Sequence, residues 1–208
     1  MRYRKLGKTN VDTSVLSFGA MRLPMIGARG PMDGMNPDIP IDEVEATKMV
    51  QHALEQGINY FDTAYGYHGG KSEVFVGKAL REHRSKVMIA TKLPVWNVQQ
   101  PEDMERIFRE QLQRLQTDYV DIYHVHGLGA PTWEKMKQMG VLEFMDGLVR
   151  DGRIRFAGFS FHDELKVFKE IVDAYDWSVC QIQYNFYDRD YQAGKEGLDY
   201  AAARNIGV

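Results

Sequence analysis

Five short runs of apolar and β-branched residues punctuate the chain: INYFDTA, KVMIATK, DYVDIYHVH, IRFAGFS and VCQIQYN. Runs of this length and composition, bounded by polar stretches, read as strands. Between them lie longer segments in which apolar positions recur every three or four residues, so each segment forms a helix with one face for a sheet. Pro40, Ile41 and Asp42 precede EVEATKMVQHALEQ, Ser72 precedes EVFVGKALRE and Pro101 precedes EDMERIFREQLQRL, while Gly57 and Gly152 stand at helix ends. These residue types start and stop helices. Strand and helix alternate, which implies a parallel sheet.

The opening YRKLGKTNVDTSVLSFG reads as a short hairpin with Gly7 and Asn10 in its turn, and residues 15–18 begin the first strand of the repeating pattern. Counting from there gives six strand–helix units, then NIGV as the first residues of a seventh strand. An eight-stranded barrel takes about 250 residues. The 208 residues therefore predict an α/β fold, a (β/α)8 TIM barrel with an N-terminal β-hairpin, truncated after about six strand–helix units, with residues 1–208 as a single domain. The connection from Arg22 to Pro40 is rich in Gly, Pro and Met and shows no period. Loops this long serve as lids or binding loops, or simply as mobile crossings.

Composition narrows the function classes. A hydrophobic fraction of 44% and a charged fraction of 26% are those of an ordinary soluble chain. A net charge of −3 offers no general attraction for phosphate backbones or anionic lipid, so neither nucleic acid nor membrane is an expected partner. No apolar run approaches the roughly 18 residues of a membrane span, and MRYRKLGKTN lacks the apolar core of a secretory signal. A cytoplasmic location is expected. The single cysteine, Cys180, has no second thiol at metal-ligand spacing and reads as a small buried residue; no metal is expected. SFGAM, not GxGxxG, follows the first strand, so a Rossmann phosphate turn has no support.

Ionisable residues stand at the ends of successive strands: Asp62 after INYF, Lys92 after VMIAT, His126 after DIYHV, with Ser160 after RFAGF. In a parallel barrel that rim is where active sites are built. Taken singly, Asp62 also suits a helix cap or turn, Lys92 a solvated strand end and His126 an apolar strand face. Taken together they suit proton transfer. A phenol titrates near about 10 and donates reluctantly at neutrality. If Tyr67, five residues after Asp62, is the donor, a cationic Lys92 would favour its phenolate, Asp62 would hold the ammonium, and a neutral His126 would orient a carbonyl oxygen. Lys92 as a Schiff-base nucleophile, giving an aldolase, needs a deprotonated amine, and Asp62 works against that.

FDTAYGYHGGKSE, with ATK and YVDIYHVH downstream, resembles the aldo-keto reductase family, and the match runs from YRKLGKT to NIGV. The resemblance implies an oxidoreductase that interconverts an aldehyde or ketone with an alcohol by hydride transfer, using NADP(H) in preference to NAD(H). It places Asp62, Tyr67, Lys92 and His126 at the four catalytic positions, with Tyr67 as general acid. Family spacing selects Tyr67 over Tyr65 and His126 over His124, which shares its strand face deeper in the barrel as a structural hydrogen-bonder.

GFSFH and QIQYN resemble the segments that hold the nicotinamide carboxamide, which makes Ser160 and Gln181 the implied cofactor contacts. Many members have Asn after that serine. Here Phe161 and His162 follow, so His162 either replaces one contact or is a surface residue. In the family, loops after the seventh and eighth strands grip the cofactor's phosphates. HGL, GFSFHD and AYDW are closer to a branch whose members often carry a C-terminal iron–sulfur extension, and the residues here do not support a cluster. Trp96, Trp133 and the first long loop are candidates for lining a substrate pocket. The alternative function is a catalytically silent barrel kept as a binding or regulatory subunit, against which an intact tetrad argues. The oligomeric state is not readable from these residues.

Overall fold

The computed structural model describes residues 1–27, 30, 33 and 36–208. Strands β1 (Tyr3–Lys5) and β2 (Asp12–Ser14) pair antiparallel as the expected hairpin. Gly7 and Asn10 in its connection adopt φ of 52° and 58°, the left-handed region that Gly and Asn enter at least cost. Val15 and Leu16, expected in the next strand, form an exposed bend instead. The Ser14 hydroxyl donates to the Leu16 carbonyl at 2.7 Å and turns the backbone, a local side-chain competition with strand pairing. Strand β3 is only Phe18–Gly19.

The remaining strands are β4 (Tyr60–Asp62), β5 (Met88–Pro94), β6 (Val120–Leu128), β7 (Ile154–Phe161) and β8 (Val179–Ile182). With β3 they make one six-stranded sheet whose spatial order is the chain order, every neighbouring pair parallel. That singly wound succession is the arrangement of a (β/α) barrel. The helices are α1 (Glu43–Glu55), α2 (Lys71–Leu80), α3 (Glu102–Leu115), α4 (Ala130–Gln138), α5 (Val141–Arg150), α6 (Leu165–Ala174) and α7 (Gly194–Ala202). After α7, the Cys180 amide donates to the Gly207 carbonyl at 2.7 Å and the Gly207 amide to the Ser178 carbonyl at 3.0 Å. NIGV thus starts a parallel pairing beside β8. A cavity of about 370 Å³ lies between β8 and the segment before β3, lined among others by Ser17, Tyr60, Gln181 and Tyr184.

Alternation sorts the core into two. Ile89, Leu93, Tyr123, Val125 and Phe159 turn outward into the main core, which also takes residues from α1–α7, whereas Met88, Ala90, Ile122 and Val179 turn inward and meet Leu6 of the hairpin connection. The same period of two carries Asp62, Lys92, His124, His126, Ser160 and Gln181 to the inward side. Pattern alone therefore lifts five of them to the C-terminal end of the sheet, with His124 one level below.

One helix signal departs from expectation. Asp42 caps α1, its carboxylate accepting from the Glu45 amide at 3.1 Å, but Ser72 is not a cap. It lies fully buried inside the first turn of α2, after a left-handed turn through His68, Gly69 and Gly70. Trp133, a candidate pocket residue, is buried with Trp177 in the main core. Part of the connection read as a lid or binding loop, residues 28, 29, 31, 32, 34 and 35, lies outside the described residues. Its base is closed by Asp42 donating to the Pro24 carbonyl at 2.8 Å and Ile26 to that of Pro40 at 3.0 Å. No helix among the described residues is long and apolar enough to cross a membrane.

Helix α2 approaches α3 closely at Gly77, where an added Cβ would stand 2.4 Å from the Leu115 carbonyl oxygen. Gly77→Ala should lower the unfolding free energy by about 1–3 kcal/mol as the helices part, measured as a lower urea midpoint at unchanged slope. An unchanged midpoint would mean the two helices do not touch there.

Candidate active site

Lys92 is the centre of the inward-facing group. Its ammonium donates to both carboxylate oxygens of Asp62 at 2.8 Å and to the Thr63 carbonyl at 2.8 Å, and stands 3.5 Å from the Tyr67 hydroxyl. Both charged residues are buried, so they must pair to remain ionised. Three donors meet three close acceptors and leave the phenol as a fourth, longer neighbour.

Tyr67 arrives from the loop after β4. Its amide donates to the Ala64 carbonyl at 3.2 Å, which curls the chain so that the phenol returns over the strand ends. Tyr65, the rival phenol, leaves in the other direction. Its hydroxyl donates to Glu110 of α3 at 2.9 Å, and the Arg114 guanidinium lies 4.2 Å over its ring. The structure thus brings Tyr67, and not Tyr65, to Lys92.

His126 meets Tyr67 edge-on, ring centroids 6.2 Å apart. Trp96 lies on its other side at 4.8 Å and is half exposed, a wall for the space above the histidine. Burial, with the Lys92 cation second, holds the His126 imidazole down at about 3. His124, fully buried below, is pushed well below its ordinary value, first by burial and then by Lys92. Both rings are therefore neutral at physiological pH. The buried His124 ring has the Phe159 backbone as its hydrogen-bonding neighbour. It sits against Gly158, where an added Cβ would lie 2.7 Å from its Nδ1.

Ser160 and Gln181 are register partners on β7 and β8. The Ser160 hydroxyl accepts from the Gly127 amide at 2.7 Å, while the side chain of half-buried Gln181 makes no hydrogen bond among the described residues. His162 is exposed, its Nδ1 3.3 Å from the Gln192 side chain, which fits the surface reading of that residue. Cys180 is buried, its thiol pushed up to about 12 by burial, in keeping with a packing role.

Comparison with known proteins bears on this geometry. Residues 16–208 match the model of the aldo/keto reductase family. The chain belongs to that family. It is 31% identical over 219 residues to the aldo-keto reductase YhdN of Bacillus subtilis, which takes in 99% of this chain and 60% of that protein. It is 30% identical over 213 residues to L-galactose dehydrogenase of Arabidopsis thaliana, 99% of this chain and 63% of the relative. Among solved structures, aldo-keto reductase AKR11C1 from Bacillus halodurans in its holo form superposes with a TM-score of 0.79 at 29% identity, over 99% of this chain and 64% of that one. This aldo/keto reductase chain therefore spans about three fifths of the length of the relatives it matches.

The residues that sequence reading passed over lie behind the rim. Thr63 lends its carbonyl to Lys92, a backbone contribution that no side-chain pattern announces. Ser72 and Glu73 were visible within GGKSE, and both prove fully buried and hydrogen-bonded to strand residues. No group of His, Cys, Asp and Glu among the described residues is placed to hold a metal ion.

The neutral histidines make folding pH-dependent. Lowered proton affinity in the folded state means the unfolded chain binds more protons below its ordinary histidine value of about 6.5, so stability falls as pH drops from there towards about 3. Each such group contributes up to about 1.4 kcal/mol per pH unit within that window. Replacing His126 by Gln should flatten the decline by one histidine's share, read as the difference between urea midpoints of the two proteins at about pH 7 and pH 5. Parallel declines would show that His126 titrates normally.

Proposed function

We propose that this protein interconverts an aldehyde or ketone with the corresponding alcohol using NADP(H), with Tyr67 as general acid. The observation that carries the reading is a phenol 3.5 Å from an ammonium that is itself held by three contacts of 2.8 Å. A proton leaving Tyr67 for a carbonyl oxygen leaves a phenolate beside that fixed cation, and the charge is stabilised where it develops. Asp62 keeps the ammonium turned towards the phenol. His126, neutral, donates a hydrogen bond to the same carbonyl oxygen and orients it beside Tyr67. In the oxidative direction the phenolate takes the proton of the alcohol. Trp96 walls the substrate space; the L-galactose relative suggests hydroxylated carbonyl compounds among the substrates to try.

The cofactor, when bound, supplies or accepts the hydride. Ser160 and Gln181 fit its nicotinamide carboxamide: adjacent inward side chains, one amide without a side-chain hydrogen bond among the described residues and one hydroxyl that accepts there from the Gly127 amide. NADP(H) in preference to NAD(H) rests on the family. The same reading takes residues 1–208 as one reductase barrel domain acting in the cytoplasm on a small carbonyl compound. Schiff-base chemistry at Lys92 is disfavoured, since an amine used that way must shed its proton and all three of its 2.8 Å neighbours are acceptors.

In the intact protein, Tyr67→Phe should reduce NADPH-dependent turnover of aldehydes, ketones and quinones by on the order of 10²-fold or more, with cofactor affinity within a few-fold. Retention of more than about a tenth of the rate would remove Tyr67 from the acid role. Lys92→Met should also suppress turnover and move the pH optimum of alcohol oxidation upward; an active variant with an unmoved optimum would break the proposed coupling.

A further inference from the structure

Thr63 directly follows Asp62 and Thr91 directly precedes Lys92, so alternation turns both hydroxyls away from the site and towards the helices. Two consecutive residues of α2 receive them. The Ser72 hydroxyl is 2.9 Å from Thr63 Oγ1 and donates to the Ala20 carbonyl at 2.9 Å. Glu73 accepts from Thr91 Oγ1 at 2.6 Å and from the Gln111 amide at 2.7 Å. That amide also lies 3.0 Å from the Lys92 carbonyl oxygen, and Tyr123 donates to the other end of Gln111 at 2.7 Å. Arg114 approaches the second Glu73 oxygen at 3.3 Å. Thr63, Ser72, Glu73, Thr91 and Gln111 are all fully buried.

Packing alone does not explain this cluster. A buried carboxyl costs free energy that apolar side chains of similar volume would avoid, and Glu73 is pushed up by burial against the donors that pull it down. What the cluster does hold is position. Through one helical turn it ties the segment after β3, the end of β4 and the end of β5 together, each within one residue of a site group or of its backbone contacts. A shift of about 1 Å at either strand end would break the 2.8 Å contacts of Lys92 and its approach to Tyr67.

We infer that Ser72 and Glu73 are positioning residues for the Asp62–Lys92 pair, acting through Thr63 and Thr91. The catalytic meaning of this rests on the carbonyl-reductase reading, but its first test needs neither cofactor nor substrate. Thr91→Val removes the hydroxyl at constant shape, and Thr91→Ser keeps it. With ring-labelled tyrosine, carbon NMR reports the surroundings of the Tyr67 ring, its resonance assigned by Tyr67→Phe. In Thr91→Val the Tyr67 resonance should move from its wild-type position as the ammonium shifts, the other tyrosines should hold, and Thr91→Ser should restore it. Turnover should fall at least about tenfold with KM within about twofold. A lowered melting temperature with the Tyr67 resonance and kcat unmoved would make the cluster merely structural and overturn the inference. If Thr91→Val does not fold, Thr63→Val, which takes one bond from the other half of the cluster, decides on the same readouts. A wild-type protein without NADPH turnover would sink the reductase reading, while the Tyr67 resonance would still decide the positioning role.

Discussion

An ammonium and a carboxylate buried together at the ends of two neighbouring strands set the terms for the rest of this molecule. Each ion costs several kcal/mol to remove from water, and their attraction offsets that only if the geometry is good and spare donors are satisfied. Asp62 and Lys92 meet the condition with two carboxylate contacts and the Thr63 carbonyl, all at 2.8 Å. The condition reaches outward. Strand ends have to stand in register, the loop after β4 has to return Tyr67 to the cation, and the nearby histidines have to stay uncharged. Burial and the lysine charge both press His126 and His124 towards the neutral form.

Much of this is readable from the chain because a strand period of two carries chemistry as well as packing. Once INYFD, VMIATK and DIYHVH are strands, the inward set includes Asp62, Lys92 and His126 without further information, and the parallel order puts them on one rim. What stays hidden are contacts between residues far apart in sequence. Nothing local says that Ser72 leaves the cap position to bond Thr63, that Tyr65 turns to Glu110, or that Trp133 of α4 packs beside Trp177. The bend at Val15 and Leu16 is lost for a related reason: β-branched and aliphatic residues favour a strand, and a single serine hydroxyl two residues away diverts it.

Membership of the aldo/keto reductase family accounts for the succession of parallel strands. The division of labour on the rim is also physical. In the proposed mechanism Lys92 and Asp62 hold charge, Tyr67 holds the mobile proton, and His126 stays neutral to orient an oxygen. Ser160 and Gln181, register partners on the next two strands, carry neutral hydrogen-bonding groups.

The central claim is that the Asp62–Lys92 pair is kept for chemistry and not for stability. Replacing both together, Asp62→Leu with Lys92→Met, removes two buried charges at similar volume. Such exchanges are commonly neutral or stabilising, whereas either single change strands an ion and costs about 3–5 kcal/mol. Urea unfolding of the two singles and the double, with NADPH-dependent turnover in parallel, measures this directly. The account predicts a double variant within about 1 kcal/mol of the original protein or more stable, and turnover lost. A double variant less stable than either single, or one that still reduces carbonyl compounds, would contradict it.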